Sequence, residues 1–174
     1  MNTVNGLPAH VLLVHAIVVL LPLSAVLLVL TACWPAARSR LALPNAILSV
    51  LVVLLVPLTT SAGEWLERRV PESTLLHQHT ELGDSAIFYA IPIAVLALIV
   101  WWRDREARDT SGRRSWLAPL STAVTGAVAV LALVIGSVGV YGIYRIGDSG
   151  SKAAWTGGFS QNASDAAPGG AGRD

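Results

Sequence analysis

"PAHVLLVHAIVVLLPLSAVLLVLTA", residues 8–32, is the stretch whose reading decides the fold. It contains no Lys, Arg, Asp or Glu. Its apolar part, Val11 to Ala32, is long enough to cross a hydrocarbon layer of ~30 Å, which takes ~20 residues at a rise of ~1.5 Å each. A barrel strand would alternate polar and apolar side chains, and this run does not. It therefore reads as a helix, whose backbone groups bond one another where water is absent. Two imidazoles, His10 and His15, stand at its mouth. Inside an apolar run such a group needs a partner or a watery cavity.

Three further runs match the first: Leu43 to Ala62, Ser85 to Trp102 and Leu117 to Tyr144. None carries a charged residue in its core. The composition agrees, with 53% hydrophobic and 13% charged residues and a mean hydropathy of +0.60. A soluble domain carries about 25% charged residues. The expected fold is all-α: a polytopic membrane protein, with a four-transmembrane-helix bundle over residues 1–146. Residues 147–174, rich in Gly, Ala and Ser, are expected to form a largely disordered tail, with too little apolar surface to offset ordering entropy. A net charge of +1 leaves no basic footprint for nucleic acid, and one cysteine excludes an internal disulfide or a multi-cysteine metal site.

The connections set the orientation. Arg38 and Arg40 lie between the first two spans, and Arg103, Arg105, Arg108, Arg113 and Arg114 between the last two. The middle connection offsets Arg68 and Arg69 with Glu64, Glu67, Glu72, Glu81 and Asp84. Short cationic loops stay cytoplasmic, so both termini and the middle loop are expected outside. Trp34, Trp65, Trp101, Trp102 and Trp116 fall at span ends, as interfacial anchors do. No cation precedes the first run, and Arg38 and Arg40 follow it closely, so it reads as a span and not a signal peptide, with Cys33 an unmodified interfacial thiol.

Pro22, Pro57 and Pro92 sit inside spans, where each frees a carbonyl one turn earlier and bends the helix; a splayed bundle with an internal cavity is one expectation. Pro119 stands at a helix start, where proline costs little. The fourth span pairs small residues at four-residue spacing, Thr122 with Gly126, Thr125 with Ala129 and Ala132 with Gly136, which suits close packing within the bundle or against a second copy. "NAS", residues 162–164, matches a glycosylation acceptor by three residues only.

All four histidines fall at the outer end. His10 and His15, five residues apart, point ~140° away from one another on a helix, so one faces the interior and the other the interface. In "HQHTELGD", residues 77–84, His77 and Glu81 share a face while His79 points the other way, toward the side of Gly83. Glu81 and Asp84 are candidate acceptors to orient an imidazole. The expected constellation is one of His10 and His15 facing His79, with His77 and Glu81 beside them. His15 and His79 are the leading pair for a cofactor, haem b through two opposed histidines. As an alternative to haem, His15, His79, His77 and Glu81 would hold a divalent transition metal such as Zn²⁺ or Cu²⁺. No nucleophile-and-base pair, phosphate loop or acidic dyad is present, and no Asp, Glu, Lys or Arg is expected to be buried, which argues against an enzyme or an ion-coupled transporter.

Three segments, "GLPAHVLLVHAIVVLLPLSAVLLVL" (6–30), "HTELGD" (79–84) and "YRIGDSGSKAAW" (144–155), together resemble a bacterial membrane family catalogued as domain of unknown function 2231. The resemblance covers roughly residues 5–156. It implies four helices in the bacterial inner membrane. It also implies a link to respiratory electron transfer, because some relatives are joined to Rieske-type or cytochrome-type redox domains. Many relatives have a further histidine in the last segment where this chain has Asp148. The reading that follows is an inner-membrane, redox-associated module binding haem or metal, alone or within a respiratory or other membrane complex. Its rival is a cofactor-free structural or assembly subunit.

Overall fold

A computed structural model of the chain describes residues 3–4, 6–109, 117 and 121–156. Its helices are α1 (Ala9–Cys33), α2 (Pro35–Glu67), α3 (Thr74–Asp84), α4 (Ala86–Arg108) and α5 (Thr122–Trp155). A two-residue hairpin, β1 (Thr3–Val4) against β2 (Leu7–Pro8), precedes them and turns at Gly6, whose φ of 81° suits glycine.

Four helices are long and apolar enough to cross a membrane: α1, α2, the α3–α4 unit and α5. They run alternately up and down in the cyclic order α1, α2, α4, α5. One end gathers the histidines, and the opposite end gathers Arg38, Arg40, Arg103, Arg105 and Arg108. The helices overrun the expected spans. α2 begins at Pro35 and not Leu43, with Pro35 in the first turn, where no amide donor is needed. α5 begins at Thr122 and not Leu117, and it continues to Trp155, past Tyr144 and into the segment expected to be a tail. Hydropathy marks where a helix lies in lipid, whereas helix ends depend on capping, and α5 runs on through Gly147 and Gly150 to its cap at Thr156. At ~1.5 Å per residue α5 is about 50 Å long, so about 20 Å of it stands beyond a ~30 Å hydrocarbon core. The glycosylation match, Arg113, Arg114, Trp116, Pro119 and residues 157–174 lie outside the described residues.

The proline-bearing helices close on a common core. Pro22, Pro44, Pro57 and Pro92 lie within unbroken helices, and Leu21, Leu28, Val52, Ile93 and Val100 pack into one core. The small residues of α5 seat the other helices. An added Cβ at Gly136 would lie 3.6 Å from the Ala25 carbonyl of α1, and one at Gly142 would strike the Tyr89 ring. Gly126 faces open space. Polar pairing runs along the α1–α2 seam, where the buried Asn45 amide donates to the Ser24 carbonyl and accepts from the Leu28 amide, both at 3.2 Å.

At the arginine end the structure corrects one expectation: a charged side chain is buried. Arg103, 4% exposed, donates to the Leu117 carbonyl and to Thr125 Oγ1 at 2.9 Å, tying α4 to the entry of α5. Arg38 closes the last turn of α1, donating to the carbonyls of Thr31 (2.8 Å) and Ala32 (2.6 Å). Trp101 and Trp102 flank Arg105, and at the histidine end the Arg69 guanidinium lies 3.9 Å over the Trp65 ring.

Candidate functional site: a paired-histidine cradle

Between the second and third spans the chain forms α3, a short helix lying across the histidine end and packed chiefly on α5. Ser73 caps it, its Oγ accepting from the Leu76 amide at 3.1 Å. Its half-buried residues, Leu75, Leu76, His79, Thr80, Leu82 and Gly83, face the bundle, and His77, Gln78, Glu81 and Asp84 face out. The ~200° between His77 and His79 is what places them on opposite sides. His77 and Glu81 pair with each other at 3.3 Å, fully outside the bundle.

His79 meets His10. Their ring centroids are 6.4 Å apart and their planes are 72° from parallel. His15 is exposed on the flank of α1, where its Nδ1 donates to the Val11 carbonyl of its own helix at 2.5 Å. The structure therefore brings together His10 and His79, and leaves His15, His77 and Glu81 apart from them.

Each imidazole is held in the same way. His10 Nδ1 donates to the Thr59 carbonyl of α2 at 2.9 Å. That carbonyl also points up its helix toward Gly63, where an added Cβ would fall 3.0 Å from His10 Nδ1 and Cε1. A side chain at this position would crowd the ring where it reaches the backbone. On α5, His79 Nδ1 lies 3.1 Å from Ser149 Oγ, whose own hydrogen goes to the Ile146 carbonyl at 2.8 Å. With that hydrogen committed, the Ser149 oxygen accepts and His79 donates. Gly150, four residues after Ile146, lies beneath this ring, with an added Cβ 2.8 Å from Cε1.

The consequence is chemical. A carbonyl only accepts, so the proton of neutral His10 sits on Nδ1 and the lone pair on Nε2. The Ser149 contact suits the same tautomer on His79. A ligating histidine shows this pattern, one nitrogen anchored to the protein and the other free for a metal. Two imidazoles on one ion, with bonds of about 2.0–2.1 Å and roughly 1 Å from nitrogen to ring centre, place their centroids about 5–6 Å apart, from the tetrahedral to the in-line arrangement. The observed 6.4 Å lies just beyond that range.

Among the described residues no third His, Cys, Asp or Glu joins the pair in a metal-sized cluster. Haem suits the number of ligands but not the space. The hollows over Gly63 and Gly150 are filled by the imidazoles themselves. The cavity that shares Ser149 with the pair measures about 190 Å³, below the ~300 Å³ at which pockets for larger organic ligands begin.

A family model described as "Predicted membrane protein (DUF2231)" matches residues 6–163. The chain belongs to that family. No curated protein and no solved structure matches it. The matched stretch of this DUF2231 chain takes in every residue of the cradle: His10, Thr59, Gly63, His79, Ile146, Ser149 and Gly150. Sequence reasoning led with His15 and His79 and kept His10 as an alternative, and it named none of the supports, since Thr59, Gly63, Ser149 and Gly150 resemble ordinary small residues of membrane helices. The spacing of Gly63 and Gly150 from a usable carbonyl four residues earlier was the available signal. Asp148 is paired with Lys152 at 2.6 Å.

Proposed function

We propose that this membrane protein is a redox-associated module that holds one transition-metal ion, Cu²⁺ or Zn²⁺, between Nε2 of His10 and Nε2 of His79. The observation that carries the reading is the pairing: each ring is anchored through Nδ1, one to the Thr59 carbonyl and the other to Ser149 Oγ, and their centroids lie 6.4 Å apart. Neutral imidazole is a good ligand for both ions. Two protein ligands leave coordination positions for water or for a group supplied by a partner, which suits a labile ion more than a structural one. His10 and His79 bind, while Thr59 and Ser149 orient them. The arginine-rich end sets the orientation we propose, with the cradle on the outer face of a bacterial inner membrane and the arginines in the cytoplasm.

The test is metal content. The full chain, purified in mild detergent, is loaded with Cu²⁺ or Zn²⁺, dialysed and analysed for metal per chain. Wild type and His15→Ala are expected to retain one ion, and His10→Ala and His79→Ala to bind at least tenfold more weakly. Acidification is expected to release the ion, because Nε2 is also the next proton site. Equal retention by all four proteins, or none by wild type, removes the reading.

A further inference from the structure

The groove between α3 and α5 is lined by Leu75, Gln78 and Leu82 on one side and Arg145, Asp148 and Lys152 on the other, with Ser149 at its back. Its charges are unevenly paired. Lys152 is taken by Asp148 at 2.6 Å. Arg145 is exposed and has no ion pair or hydrogen bond among the described residues, and Gln78 is exposed likewise. A guanidinium and an amide, both donors, thus share a groove with two leucines.

Below the groove α5 continues as an apolar stripe. Val134, Val138 and Tyr141 precede Arg145 at intervals of four, three and four residues, so all lie on one face. They are 55%, 53% and 63% exposed. Tyr141 stacks on Tyr144 with ring centroids 6.5 Å apart, the kind of aromatic pair found where a helix leaves hydrocarbon. From the lipid outward, the surface therefore reads apolar stripe, aromatic belt, free guanidinium, then a cavity of about 190 Å³. A soluble anion would use only the top of this track. An amphiphile with an anionic head would use all of it.

We propose that the α3–α5 groove binds the phosphodiester headgroup of an anionic phospholipid, with Arg145 and Gln78 donating to the phosphate and an acyl chain lying along Tyr141, Val138 and Val134. A headgroup there bridges α3 to α5, one residue from His79 and one turn from Ser149, and so braces the helix that carries His79. The site does not depend on the metal reading, since none of its phosphate donors is a proposed metal ligand.

Native mass spectrometry of the full chain tests it, with phosphatidylglycerol or phosphatidylcholine added back after delipidation and inorganic phosphate as a separate arm. Wild type is expected to hold one phosphatidylglycerol with at least fivefold preference over phosphatidylcholine, since each basic residue near a membrane surface contributes a factor of about five. Arg145→Gln is expected to abolish that preference, and Arg105→Gln, at the opposite end, to preserve it. Asp148→Asn frees Lys152 and is expected to strengthen binding severalfold, a change of opposite sign that misfolding would not produce. Equal binding of the two lipids by wild type, unchanged preference in Arg145→Gln, weakened binding in Asp148→Asn, or displacement of the lipid by millimolar phosphate would each overturn the proposal.

Discussion

Gly150→Ala isolates the contact on which the cradle depends. The new methyl carbon would lie 2.8 Å from His79 Cε1, 3.2 Å from Nδ1 and 3.3 Å from Nε2. Carbon atoms rest about 3.5–4.0 Å apart, so the ring must retreat by about 0.7 Å or more. Its retreat is hindered, because Nδ1 is bonded to Ser149 and His10 stands on another side. Metal–ligand distances tolerate about 0.2 Å, so the displacement exceeds the tolerance severalfold. Gly147 supplies the control. It lies one turn earlier on the same helix, and an added Cβ there meets nothing within 4 Å. Both positions stand beyond the apolar part of α5, where alanine gains about 0.8–1 kcal/mol of helix propensity over glycine. Gly147→Ala should therefore stabilise the protein by about that amount. Gly150→Ala should gain the same and lose about 1–3 kcal/mol to overpacking, for a net change from near zero to about 2 kcal/mol destabilising. Reversible unfolding in mixed micelles reads the stability, and Cu²⁺ titration reads the site, where at least a tenfold loss is expected for Gly150→Ala and none for Gly147→Ala. Two variants of equal stability and equal ion affinity would refute the reasoning.

Two further outcomes are expected. Arg103→Leu leaves the Leu117 carbonyl without its guanidinium donor at a buried position, and should cost about 2–4 kcal/mol in the same unfolding assay. Arg103→Lys should recover less than half of the loss, because one ammonium cannot reproduce the fork that reaches both Leu117 and Thr125; full recovery would count against it. Cys33, exposed at the arginine end, should escape a membrane-impermeant maleimide in intact cells and react after permeabilisation, and labelling of intact cells would reverse the proposed orientation.

The four spans were legible because lipid imposes a length and a composition that no local detail can disguise. Their ends were not. Pro35 to Ala42 and Arg145 to Trp155 carry polar residues and so drop out of a hydropathy reading, yet both are helical. A helix leaving the membrane keeps its hydrogen bonds until a cap or breaker stops it. Arg103 escaped for a related reason. Standing one residue past the apolar run, it reads as part of a cationic loop, although a helix that continues to Arg108 turns it inward onto α5.

The choice between His10 and His15 shows where the missing information lay. In a soluble helix the apolar stripe gives the phase, but in α1 nearly every position is apolar and no stripe stands out. Inside a membrane bundle the useful marker is reversed: small and weakly polar residues face protein, because they allow close approach and hydrogen bonding, while large aliphatic ones face lipid. In α1 those markers are Ser24 with Ala25 and Thr31 with Ala32, all buried. Counting back from Ser24 and Ala25 at 3.6 residues per turn reaches Ile17, which is buried, and then position 10. His15 falls about 140° from position 10, and it is exposed. The same rule in α2 runs from Asn45 and Ser49 through Thr59 to Gly63, and in α5 from Ala132 and Gly136 through Gly139 and Gly142 to Ser149 and Gly150. Three helices phased by their small residues thus converge on one place, and the two imidazoles that meet there are the ones that face a glycine, His10 at Gly63 of α2 and His79 at Gly150 of α5.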